Sequence, residues 1–127
     1  MIMRFLAVFV LAILTTSCDD QEVDNDLIGA WKHVESLSDI GDGKATFHRV
    51  NSDKTLLFTA YGTVISNENV CMGNNFQEGT VATWNPSDKG FQLEDCKATY
   101  TLDKEIGVLV VNYQCMEACA EKYVRAD

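Results

Sequence analysis

Cysteine is the residue type through which this chain could do the most chemistry. Cys71, Cys96, Cys115 and Cys119 make an even set. In an exported chain an even set predicts two disulfides. The same four thiolates could instead hold a zinc ion tetrahedrally, although no Cys-x-x-Cys knuckle is present. The only histidines are His33 and His48. Strand alternation would put Trp31, His33 and Glu35 on one face, where an inward histidine and carboxylate could hold a ligand's polar end. The simpler reading is a satisfied or solvent-facing histidine. Glu94 and Asp95, beside Cys96, have the right types for acid–base work, but adjacent strand residues point to opposite faces and read better as a solvated loop edge. Asp39-Ile40-Gly41-Asp42-Gly43 fails as a calcium loop, because the ligand positions after Asp39 fall on Gly41 and Gly43. No Gly-rich loop joins a strand to a helix, so no phosphate site is implied. These patterns predict no catalytic set, no metal and no cofactor; the chain is not expected to be an enzyme.

The fifth cysteine, Cys18, has a different setting. Arg4 precedes an apolar run from Phe5 to Leu14, ten residues long. That is too short to span a bilayer and right for a signal-peptide core. The run ends in Leu14-Thr15-Thr16-Ser17-Cys18, which resembles a bacterial lipobox. The resemblance implies a signal peptide over residues 1–17, removed on export, and lipidation of Cys18 with palmitate among its acyl chains. An ordinary secretory signal cut nearby would instead leave Cys18 as an odd thiol. Asp19, Asp20, Glu22, Asp24 and Asp26 then make residues 18–26 an acidic, self-repelling tether that cannot bury surface. In some Gram-negative lineages acidic residues here look like a surface-export signal; in enteric bacteria an Asp directly after the Cys looks like an inner-membrane retention signal. The length of the acidic run favours export, so the expected location is the bacterial outer membrane, lipid-anchored and surface-exposed. The formal charge is −9. With no basic stripe in residues 27–127, nucleic acid is not an expected partner.

Residues 27–127 have the size of one domain. No window sustains an apolar period of 3.6 residues over three turns. Strands are expected over Ala30–Ser36, Ala45–Val50, Thr55–Thr59, Thr63–Ser66, Gly79–Trp84, Phe91–Leu93, Ala98–Leu102, Gly107–Tyr113 and Ala120–Arg125. Turns such as Ala60-Tyr61-Gly62 and Asn85-Pro86-Ser87-Asp88-Lys89-Gly90 separate them. Short strands about ten residues apart predict an all-β fold, a small antiparallel up-and-down barrel of about eight strands without a substantial helix. Successive up-and-down strands would bring Cys71, Cys96, Cys115 and Cys119 to one rim, as bridging requires. Of three connectivities, Cys71 with Cys96 and Cys115 with Cys119 is favoured, the latter pair flanking a three-residue turn.

The ends of the domain carry a second likeness. Gly29-Ala30-Trp31 opens the first strand and Lys122-Tyr123-Val124-Arg125 ends the last. With Lys54-Thr55-Leu56-Leu57-Phe58 and Tyr61-Gly62-Thr63-Val64, this pattern resembles a family of small bacterial lipocalin-like lipoproteins in the calycin group. The resemblance implies that Trp31 plugs the barrel base and that Arg125 stacks on its indole, with Gly29 completing the signature. It also implies a binding module for a small apolar or amphipathic ligand. Candidate lining residues are His33, Phe58, Tyr100, Leu109, Val111 and Tyr113, which could equally fill the lumen. The alternative is a protein-interaction lipoprotein, of inhibitor or immunity type, using the stapled rim and the loop Asn67–Gln77 with Met72 and Phe76. The expected partners are thus the membrane, through the anchor, and either the small ligand or a protein at the rim.

Overall fold

In a computed structural model of the chain, the described residues are 26–39, 41–68, 70, 79–85, 89–93, 96–114 and 119–126. Among them are nine strands and no helix: β1 (Gly29–Asp39), β2 (Ala45–Arg49), β3 (Thr55–Phe58), β4 (Thr63–Ser66), β5 (Thr80–Asn85), β6 (Gly90–Leu93), β7 (Cys96–Asp103), β8 (Val108–Tyr113) and β9 (Ala120–Arg125). Every pairing is antiparallel. Strands β1 and β3 to β9 follow one another as neighbours, and β9 returns to β1, so eight strands close into an up-and-down barrel. Closure matters because an open edge is a template for unwanted pairing.

The ninth strand, β2, lies outside the barrel. It pairs only with the second half of β1, from Glu35↔Arg49 to Asp39↔Ala45. The first half of β1 pairs with β3 on the same edge, Gly29↔Phe58 to Lys32↔Thr55. The long first strand can serve both because it carries a bulge between His33 and Glu35 in its pairing with β9. A bulge adds one residue to one strand and reverses the sidedness beyond it. Glu35 therefore does not share the inward face of Trp31 and His33, as plain alternation predicts. It points outward to Lys122, Nζ to Oε2 2.6 Å, both about a quarter exposed. Lys122 Nζ also lies 4.2 Å from the centre of the Phe47 ring on β2, which ties the extra strand to the wall.

Period-two alternation fills the interior. Leu56 and Phe58, Val64 and Ser66, Ala82 and Trp84, Ala98 and Tyr100, and Leu109 and Val111 are all buried. Phe58 is central, with edge-on contacts to Trp84, Phe91 and Tyr100 at 5.6, 6.1 and 6.1 Å between ring centres. Trp84 Nε1 donates to Tyr100 Oη at 3.0 Å, so the buried indole is satisfied.

Candidate functional site

The barrel has two differently built ends. At the base, where β1 starts and β9 ends, Trp31 is 1% exposed. Its Nε1 donates to Leu27 O at 2.8 Å. The Arg125 guanidinium lies over the indole, 4.3 Å from Cζ to the ring centre, and Trp31 and Arg125 are also register partners across β1 and β9. Arg125 Nη1 donates to Ile28 O at 2.7 Å and Nη2 donates to Asp26 O. Gly29 makes room for this. Its φ is +125°, and a Cβ there would stand 2.5 Å from Arg125 Nη1. The Gly-x-Trp pattern thus has a local cause: the glycine accepts a backbone angle other residues avoid, and its missing side chain is where the arginine passes. Lys104, from the β7–β8 turn, pairs with Asp26 at 2.8 Å and holds that carboxyl below its usual range.

The opposite end holds a polar cluster in the lumen. Lys54 and Glu121 are 4% exposed each, with Nζ–Oε2 at 2.8 Å. The same Oε2 accepts from Tyr113 Oη at 2.7 Å and from Tyr123 Oη. Lys54 Nζ also donates to Val70 O at 3.4 Å and sits 5.6 Å from the centre of the Tyr113 ring. Val70 itself is fully buried, and its N–H donates to Thr80 Oγ1 at 3.0 Å. Burial alone would raise the Glu121 carboxyl's pKa; the Lys54 charge and the three donated hydrogen bonds outweigh it and hold the group lowered. Burial and the Glu121 charge push the Tyr113 phenol well above its usual range. Burial, with Tyr113 and Glu121, does the same to Tyr123.

His33 stands beside this cluster, 5.3 Å between ring centres from Tyr123. Nε2 is 3.1 Å from Glu35 O and 2.9 Å from Ser36 Oγ; Nδ1 is 2.9 Å from Ser52 Oγ. A carbonyl can only accept, so Nε2 carries the proton and Nδ1 accepts from Ser52. Burial lowers the pKa of the ring, the nearby Lys54 adding to that and Glu121 opposing it. The result is a neutral, satisfied histidine. His48, on β2, bonds Thr46 Oγ1 at 2.9 Å, remote from the lumen.

Of the expected ligand-lining residues, Phe58, Leu109 and Val111 are fully buried, Tyr100 and His33 nearly so, and Tyr113 packs against the same core. They lie in one packed interior, and the polar ones already have partners: Tyr100 accepts from Trp84, Tyr113 donates to Glu121, and His33 bonds Ser52, Ser36 and the Glu35 carbonyl. Alternation missed Lys54 and Glu121 as site residues. The signal was present: Lys54 shares a face with Leu56 and Phe58, and Glu121 with Tyr123, so opposite charges fall on two core faces.

Cys96 opens β7 and Cys119 directly precedes β9, both at the end away from Arg125, and both are disulfide-bonded. Cys71 and Cys115 lie outside the described residues, as do Cys18, Met72, Phe76, Glu94 and Asp95. In the β1–β2 loop, Asp39 Oδ1 accepts from Gly41 N and Gly43 N at 2.8 and 3.2 Å, a turn built on the carboxylate. Among the described residues no group of three or more His, Cys, Asp or Glu side chains is placed to hold a metal. A hollow of about 590 Å³ lies on the outer wall of β5, β6 and β7, beside the exposed Thr83, Gln92, Lys97 and Thr99. Comparison with protein-family models, with curated proteins and with solved structures found no match to this chain.

Proposed function

We propose that this chain is a lipid-anchored, lipocalin-like lipoprotein of the cell envelope whose barrel is a scaffold for contact with a protein partner. One observation carries the choice over lumen binding. The polar lumen groups that could grip a ligand's head, Lys54, Glu121, Tyr113 and Tyr123, are committed to one another. A ligand would have to break a buried ion pair to use them, at a cost of several kcal/mol. The outer wall offers a surface instead. Leu57, Ile65 and Val81 are register neighbours across β3, β4 and β5 and are 42%, 41% and 58% exposed. The membrane reading rests on the sequence around Cys18.

Three experiments test this. Cys18→Ser should leave the protein soluble or unprocessed; mature Cys18→Ser protein that still sediments with membranes would refute the anchor. Cross-linking in intact cells should give a discrete protein adduct at the outer wall or rim, while organic extraction of purified protein should release no stoichiometric small molecule on mass spectrometry. A second reading, a small-molecule module, is favoured by the outer hollow, whose volume falls in the usual range for such sites. A released ligand whose retention depends on Gln92 and Lys97 would select that reading.

A further inference from the structure

Among the described residues, the turns at the base of the barrel leave two large apolar side chains in water. Tyr61, in the β3–β4 turn, is 95% exposed, and Ile106, in the β7–β8 turn, is 70% exposed. Both turns are ordered presentations. Thr59 Oγ1 accepts from the N–H groups of Tyr61 and Thr63 at 3.3 Å each, and Gly62 takes the positive φ of +79°. Asp103 Oδ1 accepts from Glu105 N and Ile106 N at 3.0 and 3.3 Å, and Gly107 N donates to Asp103 O at 2.9 Å.

Their placement is what points to a partner. The β3–β4 turn follows Phe58, the register partner of Gly29, and the β7–β8 turn leads into Val108, the partner of Val124. Around the barrel the order is β3, β1, β9, β8, so the two side chains flank the seam at which the chain enters from its N-terminal side. Three interstrand spacings separate those strands, roughly 14 Å of wall. The Lys104–Asp26 pair fastens the entry point itself. Cys18 lies eight residues before Asp26. Even fully extended, that segment reaches only about 28 Å.

We propose that this end of the barrel seats on the bilayer surface, with Tyr61 and Ile106 entering the headgroup–acyl boundary on either side of the tether. The proposal rests on Cys18 being the lipid anchor. A tyrosine suits that boundary, since its ring is apolar and its hydroxyl stays wet. The attraction is apolar rather than electrostatic: Lys104 is paired with Asp26, Arg125 is stacked on Trp31, and Glu105 and the acidic tether disfavour anionic lipid. The matching surface is therefore zwitterionic. Seating would turn the opposite end, with Cys96 and Cys119, outward.

The test uses the full lipidated protein in phosphatidylcholine vesicles with brominated acyl chains. Three variants each add one tryptophan: Tyr61→Trp, Ile106→Trp and, beside the middle of β1 and away from the base, Val50→Trp. All three positions are exposed, and the native Trp31 and Trp84 are 1% and 3% exposed, a shared buried background. Bromolipid should cause loss of the added fluorescence at positions 61 and 106 and none at 50. Equal quenching at all three positions, with the protein still floating with the vesicles, would overturn the seating and leave the anchor standing. Failure to float would overturn both. A blue shift at 61 and 106 that follows protein concentration without quenching would assign this end to a second copy of the chain and also overturn the proposal.

Discussion

Gly29→Ala should be among the most damaging single-methyl changes in this barrel, and its cost can be divided. The first part is local. At φ +125° a Cβ is strained whatever space surrounds it, and a residue held in such a region costs about 1–3 kcal/mol. The second part is transmitted. The new methyl would stand 2.5 Å from Arg125 Nη1, so the guanidinium must leave its place over Trp31 and its bonds to Ile28 O and Asp26 O. Arg125 is exposed, so its cation–π contact is worth about 0.5–1 kcal/mol, the lower end of the range. Together these give about 2–4 kcal/mol, or roughly 10–20 °C in Tm for a domain near 100 residues. The assay is a double-mutant cycle by urea or thermal unfolding on the parent, Gly29→Ala, Arg125→Ala and the pair. Arg125→Ala alone should cost about 1 kcal/mol. In its background, Gly29→Ala should lose the transmitted part and keep the local one. Strict additivity would show that the glycine and the arginine are uncoupled. A total cost under about 1 kcal/mol for Gly29→Ala would mean that the backbone there tolerates a side chain, and the explanation of the Gly-x-Trp pattern would fail.

The remaining predictions concern the other end. Glu121→Leu should cost about 3–5 kcal/mol, because it strands Lys54 in the lumen. Adding Lys54→Met should recover only part of this, since Tyr113 and Tyr123 still lose their acceptor; full recovery in chemical unfolding would show the phenols do not need it. Stability should fall with pH in two stages. Below about 6.5 the unfolded chain protonates His33 while the native ring, lowered by burial and faced by Lys54, Glu121 and Glu68, resists until its own pKa is reached. Below about 4.5 the unfolded chain protonates Glu121 while the native carboxylate, also lowered, holds out, so its contribution is lost as pH falls through the folded value. His33→Gln should flatten the upper stage and Glu121→Gln the lower in urea midpoints measured from pH 8 to 3. Non-reducing peptide mapping should find Cys96 and Cys119 blocked to alkylation, paired with Cys71 and Cys115 respectively; a free thiol at either described position would refute the rim staple.

Much of the architecture is legible in the sequence because period-two alternation and turn residues act locally. Thr63–Ser66 and Ala120–Arg125 coincide with their expected bounds, and most others shift by one or two residues at their ends. The bulge after His33 is not legible, because nothing in His33-Val34-Glu35 distinguishes a continuous strand from one that skips a position. It arises where β1 must serve β3, β2 and β9 at once, a demand set by closure rather than by local preference. The same long strand conceals that β2 is extra to the barrel. The lumen cluster is a different case. Lys54 and Glu121 are 67 positions apart, and each alone reads as a charge at a strand end. Only the register, which sets β9 beside β1 and β1 beside β3, makes them partners across the interior. Parity assigns each of them to a core face, and burying a charge there is tolerable only when an opposite charge and further hydrogen bonds meet it. A lysine and a glutamate both directed inward therefore need each other, and the register supplies the contact. Both lie near strand ends, where the wall leaves room for long side chains, while Phe58 and its aromatic neighbours pack toward the other end. The interior thus divides between its two ends: ionic toward the end that carries Cys96 and Cys119, aromatic toward the other, where the cation stacks on the Trp31 indole.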